Sequence, residues 1–489
     1  MSNTSATAPA EPGVADPIPA EIWRICAVIV LGAFMVGLDT SLVNVGLSTI
    51  SNSLHSTLTY AQWVVSGYLL ALAAALPACG WLSRRFGSAV VWLWALAAFA
   101  VTSGLCALAG NMTMLILMRI LQGVAGGLLV PAGQTALGLI AGPRRMGRVM
   151  STVGISVVLA PAIGPAVGGV LIARLSWHWL FLINLPVAAV AITLGLRLFC
   201  SGMLDQAKAV GAARFDLAGF ALVASSLPLL TYGLITASSD SNHIGVPAVT
   251  MAGSGLTLLL AFVWHALHSR APLLNLRLFR NRIYSAAQCT GILTSAAGFG
   301  GLIVMPLYFE VLRGEGVINS GLLLITYGAG TVCGLRLSAR LSGRFGGGIM
   351  VAGGLALTIV TTLPLVFLSG DAWLPGIEAL QLIRGAGFGL CMLQAMTTAY
   401  ATVSASDLPD AAAQANVLQR VGGSIGSALF VVVLASNGGS TATAFQTTFL
   451  GITIASSVAL LAAVWLASAE RHRWSRPAAV PSADVLVVD

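Results

Sequence analysis

One carboxylate stands inside an apolar run of membrane length: Asp39, in the segment Met35-Val-Gly-Leu-Asp-Thr-Ser-Leu-Val-Asn44. A charge at the centre of a bilayer costs roughly 2.5–3.5 kcal/mol on insertion scales, so such a residue faces a bundle interior or a wet cavity and is a working group by default. A second charge, Arg119, lies in a later apolar run, three positions before Gln122. If the first run ends near Leu47 and the later one starts near Met112, Asp39 lies roughly 12 Å and Arg119 roughly 10 Å below the same face. An arginine beside a buried acid holds it ionised, and burial without that arginine raises its proton affinity. Making and breaking this contact is the chemistry that proton-coupled exchange requires. Asn44 and Gln122, on the same two runs, are the expected polar lining of a substrate cavity.

The elements that must position these groups are membrane helices. Of 489 residues, 57% are hydrophobic and 8% charged, against roughly a quarter charged in soluble proteins. A span of about 20 apolar residues crosses the hydrocarbon core. On that ruler the chain carries about fourteen helices, near 23–47, 60–82, 88–108, 112–133, 148–173, 179–200, 217–236, 247–267, 284–311, 319–341, 348–369, 375–402, 416–436 and 445–468. The net charge of +8 does not point to nucleic acid, because of where the arginines fall. Arg84 and Arg85, Arg144, Arg145 and Arg148, Arg336, Arg340 and Arg344 sit in alternate breaks between apolar runs, and the intervening breaks are nearly empty of Lys and Arg. That is the positive-inside pattern, and it predicts both termini in the cytoplasm.

An internal repeat organises the helices. Leu82-Ser-Arg-Arg-Phe-Gly87 after helix 2 returns as Leu341-Ser-Gly-Arg-Phe-Gly346 after helix 10. Gln122-Gly-Val-Ala-Gly-Gly127 in helix 4 is echoed by Arg384-Gly-Ala-Gly-Phe-Gly389 in helix 12. Both pairs are offset by eight helices, so two helices are inserted between two six-helix halves. The expected division is a cytoplasmic tail at 1–22, bundles at 23–200 and 284–468, a linker with helices 7 and 8 at 201–283, and a tail at 469–489. Parallel repeats about an axis along the membrane normal are a transporter architecture, with the substrate between the repeats near midplane. Transferring the first pair through the repeat predicts a second, Glu310 with Arg384.

Other chemistries find little support. The seven cysteines lie in or beside apolar runs without metal-ligand spacing, and the six histidines lie at helix ends or in loops. No phosphate-binding loop ending in Lys-Ser or Lys-Thr is present, which argues against a nucleotide-driven pump, and no catalytic triad shares a depth. Neither a cofactor, a metal nor an enzymatic activity is expected.

Several short motifs now stand in order. Leu38-Asp39-Thr-Ser-Leu-Val-Asn44-Val45 lies in helix 1, and Gly80-Trp-Leu-Ser-Arg84-Arg85-Phe-Gly87 follows helix 2. Arg119-Ile-Leu-Gln122-Gly123 lies in helix 4, Gly164-Pro165-Ala-Val-Gly168-Gly169 in helix 5, and Trp177-His-Trp179 with Phe181, Asn184 and Pro186 enters helix 6. In this order the chain resembles the major facilitator superfamily, specifically its fourteen-helix drug:proton antiporters, over nearly all of 23–468. The resemblance implies an all-α polytopic fold of two six-helix bundles plus two central helices. It gives gating roles to Gly80, Arg84, Arg85, Gly87 and Arg344, and an exporter motif to Gly164, Pro165, Gly168 and Gly169. Arg84 stands where the family commonly has Asp, which challenges the usual gating contact.

The expectation is an inner-membrane exporter of small lipophilic, amphipathic or cationic compounds, exchanged for protons by alternating access. Its partners would be the substrate, protons and the bilayer, with an adaptor and outer-membrane channel as further partners and no nucleic acid. The alternatives are a facilitator or an importer of a metabolite on the same fold, an intramembrane enzyme, and a passive channel.

Overall fold

The computed structural model describes residues 18–200, 214–239, 246–269, 272–341, 345–370 and 372–474, and every regular element among them is helical. In the first half, α1 is Ala20–Ser53, α2 the bent pair Trp63–Ala75 and Ala78–Phe86, α3 Ser88–Ala107, α4 Met112–Gly142, α5 143–174 and α6 Asn184–Cys200. Between the halves lie α7, Leu217–Ser239, and α8, Val246–His268. The second half holds α9, Arg282–Leu307 with a π turn at Tyr308–Leu312, α10 Val317–Leu341 and α11 Gly347–Thr362. It closes with α12, the pair Leu374–Cys391 and Gln394–Ala401, then α13 Leu408–Ser436 and α14 Ala442–Trp474. Among the described residues, eleven helices are long and apolar enough to span a bilayer, twelve if the bent pair counts as one. The expectation was about fourteen. Segment α5 and segment α7 are helical where the fifth and seventh spans were expected but are not among the eleven.

Local chemistry explains the breaks. Pro77 cannot donate a backbone hydrogen bond, and α2 bends by 55° there. Gly87 ends α2 at φ 89° and Gly142 turns α4 into α5 at φ 70°, a region open to glycine at no steric cost. Asn111 and Asn281 cap α4 and α9 by accepting from the amides of Met114 and of Ile283 and Tyr284. Several helices overrun their expected ends. Helix α1 reaches Ser53, and α13 starts at Leu408, eight residues before the expected 416. Helix α14 runs to Trp474, into the stretch expected to be tail, while 1–17 and 475–489 lie outside the described residues.

The repeat is visible in the packing. A Cβ added at Gly123 or Gly127 of α4 would collide with the carbonyls of Tyr68 and Leu72 in α2. In the second half, Gly385 and Gly389 of α12 meet the carbonyls of Tyr327 and Thr331 in α10 in the same way. Small residues let these helices cross at backbone contact, which replaces hydrophobic driving force inside a bilayer.

The apolar core divides unevenly. One cluster joins the halves at the arginine-rich end, where Val149 and Met150 of α5 meet Leu335 of α10, Leu393 of α12 and Leu408 of α13. Toward the other end, separate clusters belong to single halves, one around Leu42, Leu115 and Phe181 and one around Val304, Tyr308 and Phe449. The halves are therefore packed together at the arginine-rich end and core independently at the other. Helix α7 packs on both α2 and α13, so the insert touches both halves. Asp216 anchors the insert's entry by accepting from the Gly219 and Leu273 amides and facing the His265 ring at 2.9 Å. Burial raises its proton affinity, but these donors outweigh that and hold the Asp216 carboxyl below the usual range.

Gly385→Ala should lower the thermal unfolding midpoint of the purified protein in detergent, because overpacking costs about 1–3 kcal/mol. Gly253→Ala, where an added Cβ meets nothing within 4 Å, should leave it unchanged.

Candidate functional site: a sealed acid–guanidinium pair

Asp39 and Arg119 meet. Arg119 Nη1 donates to Asp39 Oδ2 at 2.5 Å, and both side chains are 0% exposed. The other oxygen, Asp39 Oδ1, accepts from Asn184 Nδ2 at 2.9 Å and Gln122 Nε2 at 3.1 Å. Arg119 also gives Nε to the Val64 carbonyl at 3.0 Å and Nη1 to Gln122 Oε1 at 2.8 Å. Its guanidinium lies 4.0 Å from the Tyr68 ring centroid, and Nη2 is buried without a hydrogen-bond acceptor. Three hydrogen bonds, one of them from the counter-ion, satisfy this carboxylate, and the seal of side chains keeps water from it. Since α1 continues to Ser53, Asp39 lies fourteen residues, roughly 21 Å, from that helix end and not the expected 12 Å. The contact forms regardless, because α1 and α4 cross here.

Asn184, named beforehand only at the entry to α6, is an Asp39 ligand, steadied by Ser103 Oγ at 3.0 Å. Gln122 is in the site as expected. Asn44 is exposed on α1 and takes no part in the Asp39 network.

The expected Glu310–Arg384 pair is not made. Arg384 is buried, with its guanidinium against the Gly301 backbone, its Nη1 on Gln381 Oε1 at 3.3 Å and its Nε without a partner. Glu310 lies nine residues beyond Gly301 on α9, roughly 13 Å along the axis. The physical reason is a swap within the repeat. Gln122 aligns with Arg384 and Arg119 with Gln381, so the two halves carry the same Arg–Gln couple in opposite order. The second half places glycine, not an acid, against its arginine.

The motif after α2 gains a partner that its sequence did not reveal. Arg84, at the end of α2, forms an ion pair with Asp410 in the first turn of α13, joining the halves. Where the family commonly has an acid, this chain has Arg84, and the acid stands across the interface. An added Cβ at Gly80 would lie 2.6 Å from Asp410 Oδ1, so Gly80 lets the pair close. Gly87 supplies the positive-φ turn after α2, and Arg85 points to solvent. Arg344 lies outside the described residues. A second link between halves, Asn416 Nδ2 to Gln134 Oε1 at 2.7 Å, lies one level deeper.

In α5, an added Cβ at Gly164 would strike Ser41 of α1, and one at Gly168 would lie 3.2 Å from Leu42. Gly169 faces open space, and the Pro165 side chain is outside the described set. Two of the four motif positions thus hold α5 against the helix that carries Asp39. A cavity of about 450 Å³ opens at the arginine-rich end between Trp23, Arg148, Thr152, Arg336 and Arg340. Trp23 is sixteen residues below Asp39 on α1, roughly 24 Å away, so this cavity is distinct from the buried pair.

Two pseudo-symmetric helical bundles of membrane length, packed together at one end, with a buried charge pair inside the first, define an all-α polytopic membrane protein. The model of the Major Facilitator Superfamily matches residues 29–431, and the chain belongs to that family. It is 32% identical over 426 residues to a "Multidrug resistance protein B homolog" of Mycobacterium tuberculosis, covering 86% of this chain and 77% of that protein. In fold it is similar to the human organic anion transporter MFSD10, at TM-score 0.61 and 16% identity, covering 91% of this chain and all of that one. It is likewise similar to a double Trp mutant of XylE, at TM-score 0.64 and 16% identity, over 90% of this chain and 95% of that one.

Reversing one charge, Arg84→Asp or Asp410→Arg, should cut efflux in a cell-based dye assay by about tenfold or more. The double swap should restore it in part, because arginine in the first turn of α13 opposes the helix dipole.

Proposed function

We propose that the protein exports small amphipathic compounds from the cytoplasm in exchange for protons, by alternating access between its halves. The arginine-rich end is assigned to the cytoplasm of an inner membrane by the positive-inside pattern, which puts both termini there. On that assignment, the described conformation is closed to the cytoplasm and parted toward the outside. The naming of its relatives as multidrug resistance proteins and the α5 glycine motif favour export over a facilitator or importer.

The observation that carries the reading is the sealed Asp39–Arg119 pair. A carboxylate with no route to water cannot exchange a proton in this state, so protonation must accompany movement of α1 against α4. When the Arg84–Asp410 and Asn416–Gln134 links open, the pair loosens and Asp39 can take the proton in place of its counter-ion. Deprotonation restores the ion pair and returns the closed state. One acid thus ties proton movement to the rocking of the halves, and the cavity between them carries the substrate. The coupling role stays with Asp39 and Arg119, supported by Gln122 and Asn184. Glu310 and Arg384 form no equivalent pair.

The test is uptake and efflux in proteoliposomes with an imposed pH gradient. Wild type should concentrate a dye against its gradient, and Asp39→Asn should insert and bind the dye but lose gradient-driven accumulation. Because removing one partner of a buried pair costs roughly 3–5 kcal/mol, the variant's thermal midpoint should also fall. Full accumulation by Asp39→Asn would refute the assignment.

A further inference from the structure

A membrane arginine outside the coupling pair has no partner. Arg420 lies twelve residues into α13, roughly 18 Å from its start at Leu408, which is mid-bilayer and not the near-cytoplasmic place its sequence position suggested. Asn416, one turn earlier on the same helical face, donates to Gln134 of α4 in the other half. Arg420 is therefore presented to the opposing half, one turn above that link. Its side chain is exposed, and Tyr68 of α2 in the other half is near enough to feel its charge. An exposed side chain on the helix face turned toward the opposing half lines the cleft between the halves. Among the described residues it forms no hydrogen bond and no ion pair.

The acids that could neutralise it are committed or distant. Asp39 is sealed against Arg119, and Asp410 is paired with Arg84 nearly three turns below. Glu310 and Glu378 lie at the opposite ends of α9 and α12, where the Thr326 hydroxyl donates to Glu378. Arg384, on the same half, is also without a carboxylate, and its buried Nε has no acceptor. Arg420 therefore brings to the cleft between the halves a positive charge that no described side chain balances. An unpaired charge in a low-dielectric site is costly, and a guanidinium matches a planar anion in bidentate fashion.

We infer that Arg420 receives the negative end of the transported compound, so the substrates are amphipathic anions such as lipophilic carboxylates or phenolates. The inference rests on the export reading for its place in the cycle, and it narrows the substrates that the sequence alone left as lipophilic or cationic. The apolar helices supply the rest of the contact. The neutral Asp39–Arg119 pair can then handle the proton while Arg420 handles the cargo, two separate tasks on two halves.

Two dyes with one xanthene skeleton and opposite charge, fluorescein and rhodamine 123, separate charge from size. Equilibrium binding to purified protein in nanodiscs, read by fluorescence polarisation, needs no transport. Wild type should bind fluorescein in preference to rhodamine 123. Arg420→Gln should weaken fluorescein binding by roughly tenfold or more, the scale of a lost charge-assisted hydrogen bond, with rhodamine 123 unchanged or tighter. Arg420→Lys, which keeps the charge, should recover part of the loss, and both variants should match the wild-type unfolding midpoint. No preference for fluorescein in wild type, or equal loss of both dyes in Arg420→Gln, would overturn the inference. Charge-selective binding without gradient-driven transport would sink the export reading and leave this one standing.

Discussion

Charge is expensive in hydrocarbon, and this chain contains it by pairing. Asp39 and Arg119 would each be prohibitive alone inside a helical bundle, and together, with Gln122 and Asn184 completing the hydrogen bonds, they become a stable polar knot at 0% exposure. The surrounding architecture serves that knot. Gly123 and Gly127 draw α2 onto α4, which brings the Val64 carbonyl and the Tyr68 ring to the guanidinium. Gly164 and Gly168 draw α5 onto α1 behind the acid. The pair is thus held by close glycine contacts, onto backbone carbonyls in α2 and onto side chains in α1, and any change in helix crossing is felt at the acid.

The two halves share a plan but not a task. Both carry an Arg–Gln couple on the helix that crosses at glycine contact, and both set an aromatic ring against the guanidinium, Tyr68 in one and Tyr327 in the other. Only the first half supplies a carboxylate. Among the described residues the second leaves Arg384 and Arg420 without a carboxylate, and on the proposed function this asymmetry would separate the proton site from a place for charged cargo. At the arginine-rich end the halves meet through Arg84–Asp410, with the guanidinium on the first half and the carboxylate on the second.

Much of this was legible in the chain. A lone Asp in an apolar run is conspicuous, and so are Arg119 and Gln122 on a helix of matching depth. The repeat offset predicts two inserted helices, and α7, the first of them, packs on both α2 and α13. Other features were hidden for physical reasons. Asp410 lies in Ser404-Ala-Ser-Asp-Leu-Pro-Asp410, which reads as a turn, and only the early start of α13 turns it into a first-turn acid facing Arg84. The same shift moves Arg420 from a helix end to mid-membrane. Glu310 was drawn into a pair by applying the repeat too literally, whereas the repeat preserves helix crossings and not side-chain order. Asn184 carries no charge, so nothing in the sequence marks it as a carboxylate ligand.

The central claim is that Asp39 exchanges its counter-ion for a proton as the halves move. Proton release by detergent-solubilised protein on substrate addition, followed with an indicator dye in weak buffer, addresses it without a membrane or a gradient. The account predicts net proton release from wild type, and none from Asp39→Asn with binding retained. Equal release from both proteins would contradict it.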